Sequence, residues 1–360
     1  MRVFYVPIEP LEERYTKQWY VWFPQKFKSY GIDCITIEGE PLTNRVEVGE
    51  FLDINSTLAY KSSQLRKIAE LFHTKQIVPG DTFYIADLEF WGVESIKYLS
   101  VLNKIPVKIF GFMHAGSYDV EDFMNPCRPF AQYFEQGWFS ICEKIFVGSQ
   151  YHKELLKKSF PNMASELEEK VIVTGNPWNT KEALCIVGKF EKRNQIIHSN
   201  LPDWRKRPNL FLNLVPLIKK ARPDVNIVLT TSRREWGTGW LRNCALDLQE
   251  KGYLEIKEDL LKSEYYKILA ESKVMFSATM QETFGYCIVE AMTFDTIPIV
   301  PNRLSCPEVV NWDSRLLYKD LDEALEKVFF ALDNKMALRS YAKKYDTVID
   351  RMIEIMFGVK

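Results

Sequence analysis

Short apolar runs alternate along this chain with longer stretches whose apolar residues recur every three to four positions. The runs at 2–6, 32–37, 82–86, 106–112 and 144–148 read as strands, and the stretches at 14–29, 61–73, 92–103 and 129–140 read as helices. Strands separated by helical stretches predict an α/β fold, a parallel sheet with crossover helices. The second half repeats the pattern. Its strand candidates are 171–174, 194–198, 226–231, 253–256, 273–277 and 296–300, with helices at 208–220, 238–250, 263–270 and 286–293. Gly175-Asn176-Pro177-Trp178-Asn179 is a turn-rich break between the halves. It sets the expected domains at 1–174 and 175–335, followed by a segment 336–360. Residues 336–357 of that segment read as one helix, which either crosses back onto the first domain or simply ends the second. Ligands on such sheets collect at the carboxyl ends of the strands.

The strand candidate 273–277 leads into the densest chemistry of the chain, Glu282-Thr283-Phe284-Gly285-Tyr286-Cys287-Ile288-Val289-Glu290-Ala291-Met292. If a helix starts near Thr283, its N–H groups and positive dipole end suit a phosphate. Glu290 then lies about two turns in, roughly 10 Å from the start at ~1.5 Å per residue. One carboxylate would reach past the phosphates and the other back towards a ribose, a spacing that fits a sugar nucleotide. The competing interpretation is a helix with two exposed glutamates and no site.

A second constellation, His198-Ser199-Asn200-Leu201-Pro202-Asp203-Trp204-Arg205-Lys206-Arg207-Pro208, follows a strand candidate and opens a helix. Its cations stand where a diphosphate would need neutralising: Arg supplies a planar fork and Lys a point charge. A solvated charge run is the alternative. A third, Phe110-Gly111-Phe112-Met113-His114-Ala115-Gly116, ends a strand in a histidine whose neutral ring both donates and accepts. His73, His152 and His198 have no comparable setting and read as structural or surface residues. Two loops at strand ends complete the inventory. Pro7 to Trp19 carries Arg14, Tyr15 and Trp19, suited to phosphate contact and stacking. Ala86 to Gly92 carries Asp87 and Glu89, which either hold a hydroxyl or cap the next helix.

Together these residues carry a resemblance. Glu-x7-Glu with Phe-Gly after the first Glu, then Glu290-Ala291, then Ile297-Pro298-Ile299-Val300, resembles retaining glycosyltransferases of the GT-B fold. Cys306-Pro307-Glu308-Val309-Val310 is similar to the branch holding the queuosine-tRNA mannosyltransferases and many phage glycosyltransferases. The match is specific over about residues 195–330 and looser before it. The resemblance implies two Rossmann-like domains facing across a cleft, with the donor held by the second and the acceptor by the first. It implies a nucleotide-sugar substrate, UDP- or GDP-linked, retention of configuration by front-face attack, and neither cofactor nor metal. By resemblance, Glu282 contacts the donor sugar and Glu290 the ribose, while Thr283, Phe284 and Gly285 complete the donor loop. Lys206 and Arg207 stabilise the leaving diphosphate, and His114 faces the sugar. The family's earlier arginine is expected where this chain has Asn200, with Arg233 or Arg234 as its replacement. The glycine-rich loop of many similar enzymes is also missing, which hands acceptor contact to Arg14, Tyr15, Trp19, Asp87 and Glu89. The phage-like tail of the motif points to hydroxymethylpyrimidine in DNA as the acceptor, served by a basic strip of Arg14, Lys17, Lys26 and Lys28. A glycan, a lipid, a tRNA base, or a nucleotide-sugar-binding module without turnover are the alternatives.

Composition narrows this picture. The 360 residues suffice for two domains with sizeable cores. A hydrophobic share of 46% and a charged share of 26% are those of a globular protein. The net charge of −1 argues against capture of nucleic acid by the whole surface and leaves a local basic groove open. Seven scattered cysteines, with no Cys-x-x-Cys, argue against a disulfide framework or a zinc site and for a reducing cytoplasm, the host's if the chain is phage-encoded. The first apolar run is cut at Pro7, too short for a signal peptide, and no run reaches the length of a membrane span. Oligomeric state is not legible.

Overall fold

The computed structural model describes residues 1–12, 14–42, 53–199, 204–231 and 239–359. Along the chain it forms β1 (Arg2–Val6), α1 (Tyr15–Ser29), β2 (Asp33–Thr36), α2 (Ile54–His73), β3 (Thr82–Ile85), α3 (Val93–Leu102), β4 (Lys108–Phe112), α4 (Arg128–Ile141), β5 (Lys144–Val147), α5 (Gln150–Ser159), α6 (Ala164–Lys170) and β6 (Val171–Val173). There follow α7 (Thr180–Val187), β7 (Arg193–His198), α8 (Pro208–Ala221), β8 (Asn226–Thr231), α9 (Gly239–Glu250), β9 (Glu255–Glu258), α10 (Lys262–Glu271), β10 (Ser272–Phe276) and α11 (Tyr286–Thr293). The chain closes with β11 (Ile297–Pro301), α12 (Cys306–Val309), β12 (Leu317–Tyr318), α13 (Leu321–Asp333), α14 (Arg339–Lys343) and α15 (Val348–Phe357). Two compact units result: the described residues of 1–46, 52–177 and 347–360, and Trp178–Asp346.

Each unit holds one parallel sheet, of six strands among the described residues. In the first unit the order is β2-β1-β3-β4-β5-β6. All four residues of β3 are buried, as they must be in a central strand covered on both faces. The direction of strand addition reverses between β1 and β3, so the carboxyl ends of these strands form a topological switch point, where ligands of open α/β sheets bind. In the second unit the order is β12-β11-β10-β7-β8-β9, and the switch lies between β7 and β10. The loops after β1, β3, β7 and β10 are therefore the places to look for a site.

Helix α1 shows how the sequence seats an element. Trp19, Phe23 and Phe27, at i, i+4 and i+8, all lie on its buried face. Burying each such ring contributes about 1.5–3 kcal/mol. The side chain of Tyr5 from β1 stacks on Phe23 at 5.5 Å, and Phe357 from α15 meets Phe27 edge-on at 6.3 Å. Lys26 donates to both oxygens of Asp350 at 2.8 Å, fastening α15 to α1.

Several expected bounds move. The run 171–174, grouped with the second half of the pattern but inside the expected domain 1–174, is the last strand of the first sheet, paired with β5. Helix α2 starts at Ile54, seven residues before the expected start, because Asp53 accepts the Ser56 N–H and caps it. The stretch 336–357 is not one helix. Asp295 Oδ1 accepts the N–H groups of Leu338 and Arg339 at 2.9 Å, starting α14, and a tight turn over Lys344–Thr347 separates it from α15.

Candidate active site

In the second unit, the turn Trp204–Lys206 precedes α8 and presents Lys206 to the loop after β10. The Lys206 ammonium donates to Glu282 Oε2 at 3.1 Å, to the Gln281 carbonyl at 2.9 Å and to Thr279 Oγ1 at 3.3 Å. Burial disfavours its charge, but the field of Glu282 outweighs this and holds Lys206 above its ordinary value, so it stays protonated. Two further bonds fix the loop. Ser305, fully buried, donates to the carbonyl oxygens of Glu282 and Phe284 at 3.0 and 3.1 Å, and Arg303 donates to the Thr279 carbonyl at 2.9 Å. Gly285 caps α11 at φ 98°, in the left-handed region. A Cβ there would lie 2.9 Å from Ile288 Cδ1 and 3.3 Å from Glu282 Cγ, so the residue keeps both the turn and the room beside Glu282.

Helix α11 spans Tyr286–Thr293, the expected 286–293, and does not start near Thr283. Glu290 is therefore four residues in, about 6 Å along the axis rather than two turns. Tyr265 donates to one of its oxygens at 3.0 Å and Tyr266 to the other at 3.2 Å. Burial raises the Glu290 carboxyl; Lys262 and the two hydroxyls act against that shift. An ionised carboxylate has about four acceptor positions, so two remain for a ligand hydroxyl. Burial pushes the neighbouring Cys287 thiol up to about 12, which excludes it as a nucleophile.

Phe284 is a correction. It is 2% exposed, edge-on to Tyr286 at 5.2 Å and to Tyr345 at 4.9 Å, so its ring packs the core rather than facing a ligand. Thr283 is half-buried on the same loop. Arg207 adopts φ 46° at the start of α8 and is half-buried. Asn200, Arg233 and Arg234 lie outside the described residues. His198 is a core residue: it stacks on Phe211 at 4.5 Å, donates from Nδ1 to the Phe276 carbonyl at 2.9 Å, and is held down to about 4 by burial.

In the first unit, His114 follows β4 and reaches the ends of β1 and β3. Its Nε2–H donates to the Ala86 carbonyl at 2.9 Å, which leaves Nδ1 to accept the Tyr15 hydroxyl at 3.3 Å. Burial lowers its basicity, so the ring is neutral. Asp87 Oδ2 accepts from Lys61 at 3.2 Å, while its Oδ1 accepts the Glu89 N–H at 3.1 Å. Lys61 also donates to the Glu89 carbonyl. Burial would raise Asp87, yet Lys61 and His114 hold it below its ordinary value. Glu89 differs. Burial, with Asp87, Asp122 and Glu135 nearby and Lys61 alone opposing, pushes it up to about 7. The capping role considered for these carboxylates is not seen, because α3 has Gly92 at its N-cap and no side-chain cap.

Trp19 is the second correction. It is 1% exposed, enclosed by Tyr15, Phe23 and Phe112, and donates from Nε1 to the Pro177 carbonyl at 3.0 Å. No base can stack on it. Half-buried Tyr15 is turned to His114. Arg14 is half-buried at the entrance to α1, and its charge acts on Glu9. Two of the four cations of the expected basic strip are paired, Lys26 with Asp350 and Lys17 with Glu12 at 2.7 Å, and Lys28 is exposed. Sequence reasoning missed Lys61, Tyr265, Tyr266 and Ser305. Each acts over a long separation in the chain, and no local pattern marks it.

Both clusters thus sit at switch points of their sheets. Residues 179–347 match the family model of glycosyl transferases group 1. Similar solved structures cover nearly the whole chain. Sucrose-phosphate synthase from Thermosynechococcus elongatus is 12% identical with a TM-score of 0.66, covering 99% of this chain and 97% of its own. An E. coli trehalose-6-phosphate structure bound with UDP-2-fluoro glucose is 11% identical with a TM-score of 0.65, covering 98% and 96%. The pneumococcal O-GlcNAc transferase GtfA, in complex with UDP and GlcNAc, is 13% identical with a TM-score of 0.56, covering 83% of this chain and 60% of its own. No curated protein matches the chain in sequence. The fold is GT-B, and the match to glycosyl transferases group 1 falls on the second unit. No helix among the described residues is long and apolar enough to cross a membrane.

Proposed function

We propose that the chain moves a sugar from a nucleotide-sugar donor to an acceptor hydroxyl with retention of configuration. The observation that carries this is the Lys206–Glu282 pair at the β7/β10 switch point, with Glu290 held by two tyrosines on the helix that follows. In this proposal Lys206 and Arg207 neutralise the diphosphate, aided by the positive end of α11. Stabilising the charge that develops on the leaving group is electrostatic preorganisation. Glu282 contacts the sugar and Glu290 a ribose hydroxyl. In the first unit, neutral His114 faces the donor sugar, and Asp87 or Glu89 orients the acceptor. No step requires a metal or a cofactor. UDP is the first nucleotide to test, since two structurally similar proteins were solved with UDP or a UDP-sugar; GDP is the second.

The acceptor expected from the sequence, hydroxymethylpyrimidine in DNA, loses the stacking ring of Trp19 and the charges of Lys17 and Lys26. An acceptor without phosphates agrees better with what is left. Calorimetry with UDP and GDP tests the donor assignment. Glu290→Ala should weaken nucleotide binding by about 1.5–3 kcal/mol, the worth of a hydrogen bond to a charged group. Unaltered affinity in that variant, or no binding of either nucleotide to the parent chain, removes the proposal.

A further inference from the structure

Helix α4 carries charge at two positions, Arg128 and Glu135, and the two pair with each other at 3.1 Å. The Glu135 side chain is 3% exposed, bonded to the Ser117 N–H at 2.6 Å and its hydroxyl at 2.7 Å, so this pair serves the loop after β4. What α4 turns outward is uncharged and aromatic. Phe130 is 52% exposed, Tyr133 70% and Phe134 39%. Their spacing of i, i+3 and i+4 puts the three rings on one stripe. Gly137 continues it by one turn, and a Cβ there would meet nothing within 4 Å, leaving a shelf beyond the rings. Half-buried amide side chains, Gln132 and Gln136, flank the stripe.

The stripe is continuous with the candidate acceptor loop. Trp91 stands two residues after Glu89 and meets Phe134 edge-on at 5.4 Å and Trp138 at 6.2 Å. A path therefore runs from Asp87 and Glu89 over Trp91 and onto Phe134, Tyr133 and Phe130.

Exposed aromatic clusters of this kind mark interaction sites. The charge pattern selects the partner. A nucleic acid or an anionic membrane surface demands cations, and the stripe presents none. A polyhydroxylated, uncharged chain fits both halves of the surface. The apolar C–H face of a sugar ring lies on an aromatic face, whose quadrupole attracts it, and its hydroxyls reach amide groups at the edge. We infer that the α4 stripe is a docking track for a neutral glycan, and that the acceptor is the end of such a chain. This rests on the glycosyl-transfer reading of the site, and it adds the substrate class.

The test uses the full chain on an immobilised array of neutral glycans and of sulphated or uronate-bearing ones. Expected is retention on at least one neutral class, at least tenfold weaker for Phe134→Ala and for Tyr133→Ser. Tyr133→Ser is the safer variant, because its ring is mostly in solvent. UDP binding and thermal midpoint, measured on the same samples, should stay as in the parent. Retention on anionic glycans alone, equal retention by the variants, or no retention on any neutral glycan overturns the inference. So does a dimer, seen by sedimentation, that both variants abolish, because the stripe is then an interface between copies. Loss of glycan retention with intact UDP binding leaves the donor assignment standing, and loss of UDP binding in the parent chain removes that assignment separately.

Discussion

Replacing Glu89 by Gln should stabilise the protein at pH 8 and change little at pH 5. The side chain is pushed up from an ordinary 4.5 to about 7 by burial, by three neighbouring carboxylates and against a single lysine. The folded state therefore keeps a proton that the unfolded chain releases. Where the folded state binds more protons, stability falls as pH rises. The contribution is fully present below about pH 4.5 and is lost progressively up to about pH 7. A tenfold change in proton affinity is worth ~1.36 kcal/mol, so the whole interval amounts to about 3 kcal/mol. Gln has the same shape and no charge to bury, so the variant should escape that loss. Lys61 keeps Asp87 as its partner. Urea unfolding of both proteins at pH 5 and pH 8, followed by tryptophan fluorescence, measures the difference. A variant that tracks the parent at both pH values, or is less stable at pH 8, refutes the account of Glu89 as a carboxylate held against its charge.

Four further outcomes follow from the same geometry. Gly285→Ala should destabilise the second unit by about 1–3 kcal/mol, the strain of a side chain in the left-handed region, and weaken UDP binding; unchanged calorimetry on both counts contradicts the role of this turn. Lys206→Ala with Arg207→Ala should lower affinity for UDP far more than for uridine, and equal losses show that the pair is not a diphosphate clamp. Lys206→Met and Glu282→Gln should couple by more than about 0.5 kcal/mol in a double-mutant cycle on urea stability, whereas additive effects would mean the ion pair is not an energetic unit. Trp19→Ala should cost about 3–5 kcal/mol as a large-to-small core change; a variant as stable as the parent would restore Trp19 as a surface residue.

Much of the architecture was legible because parallel strands, covered on both faces, are written as unbroken apolar runs. β3 and β11 are such runs, and their neighbours inherit their order from the crossover rule. Lys206 and Glu282 were each legible as residues after a strand, but their meeting was not, since it depends on β7 and β10 lying side by side in the sheet. Trp19 was misread although the signal was present: its spacing with Phe23 and Phe27 marks one helix face, and a face with three large rings is a core face. The core position of the Phe284 ring was not legible, because a motif position says nothing of where its ring points. Tyr265 and Tyr266 reach Glu290 from the preceding crossover helix, and nothing nearby in sequence announces them. Within 336–357 the start of α14 is set by Asp295, more than forty residues upstream.

The return of α15 to α1 fixes the order in which the protein can be completed. Domains generally fold as units while the chain emerges from the ribosome. Among the described residues the second unit is one stretch of sequence, and these are all present once Asp346 has appeared. The first begins earlier and finishes last, because Asp350 and Phe357 supply the partners of Lys26 and Phe27. Until then α1 shows water the face on which α15 will lie. Residues 1–177 expressed alone would be a sheet with that face uncovered. A stop codon near residue 347 would therefore injure the half of the protein farthest from it in the gene.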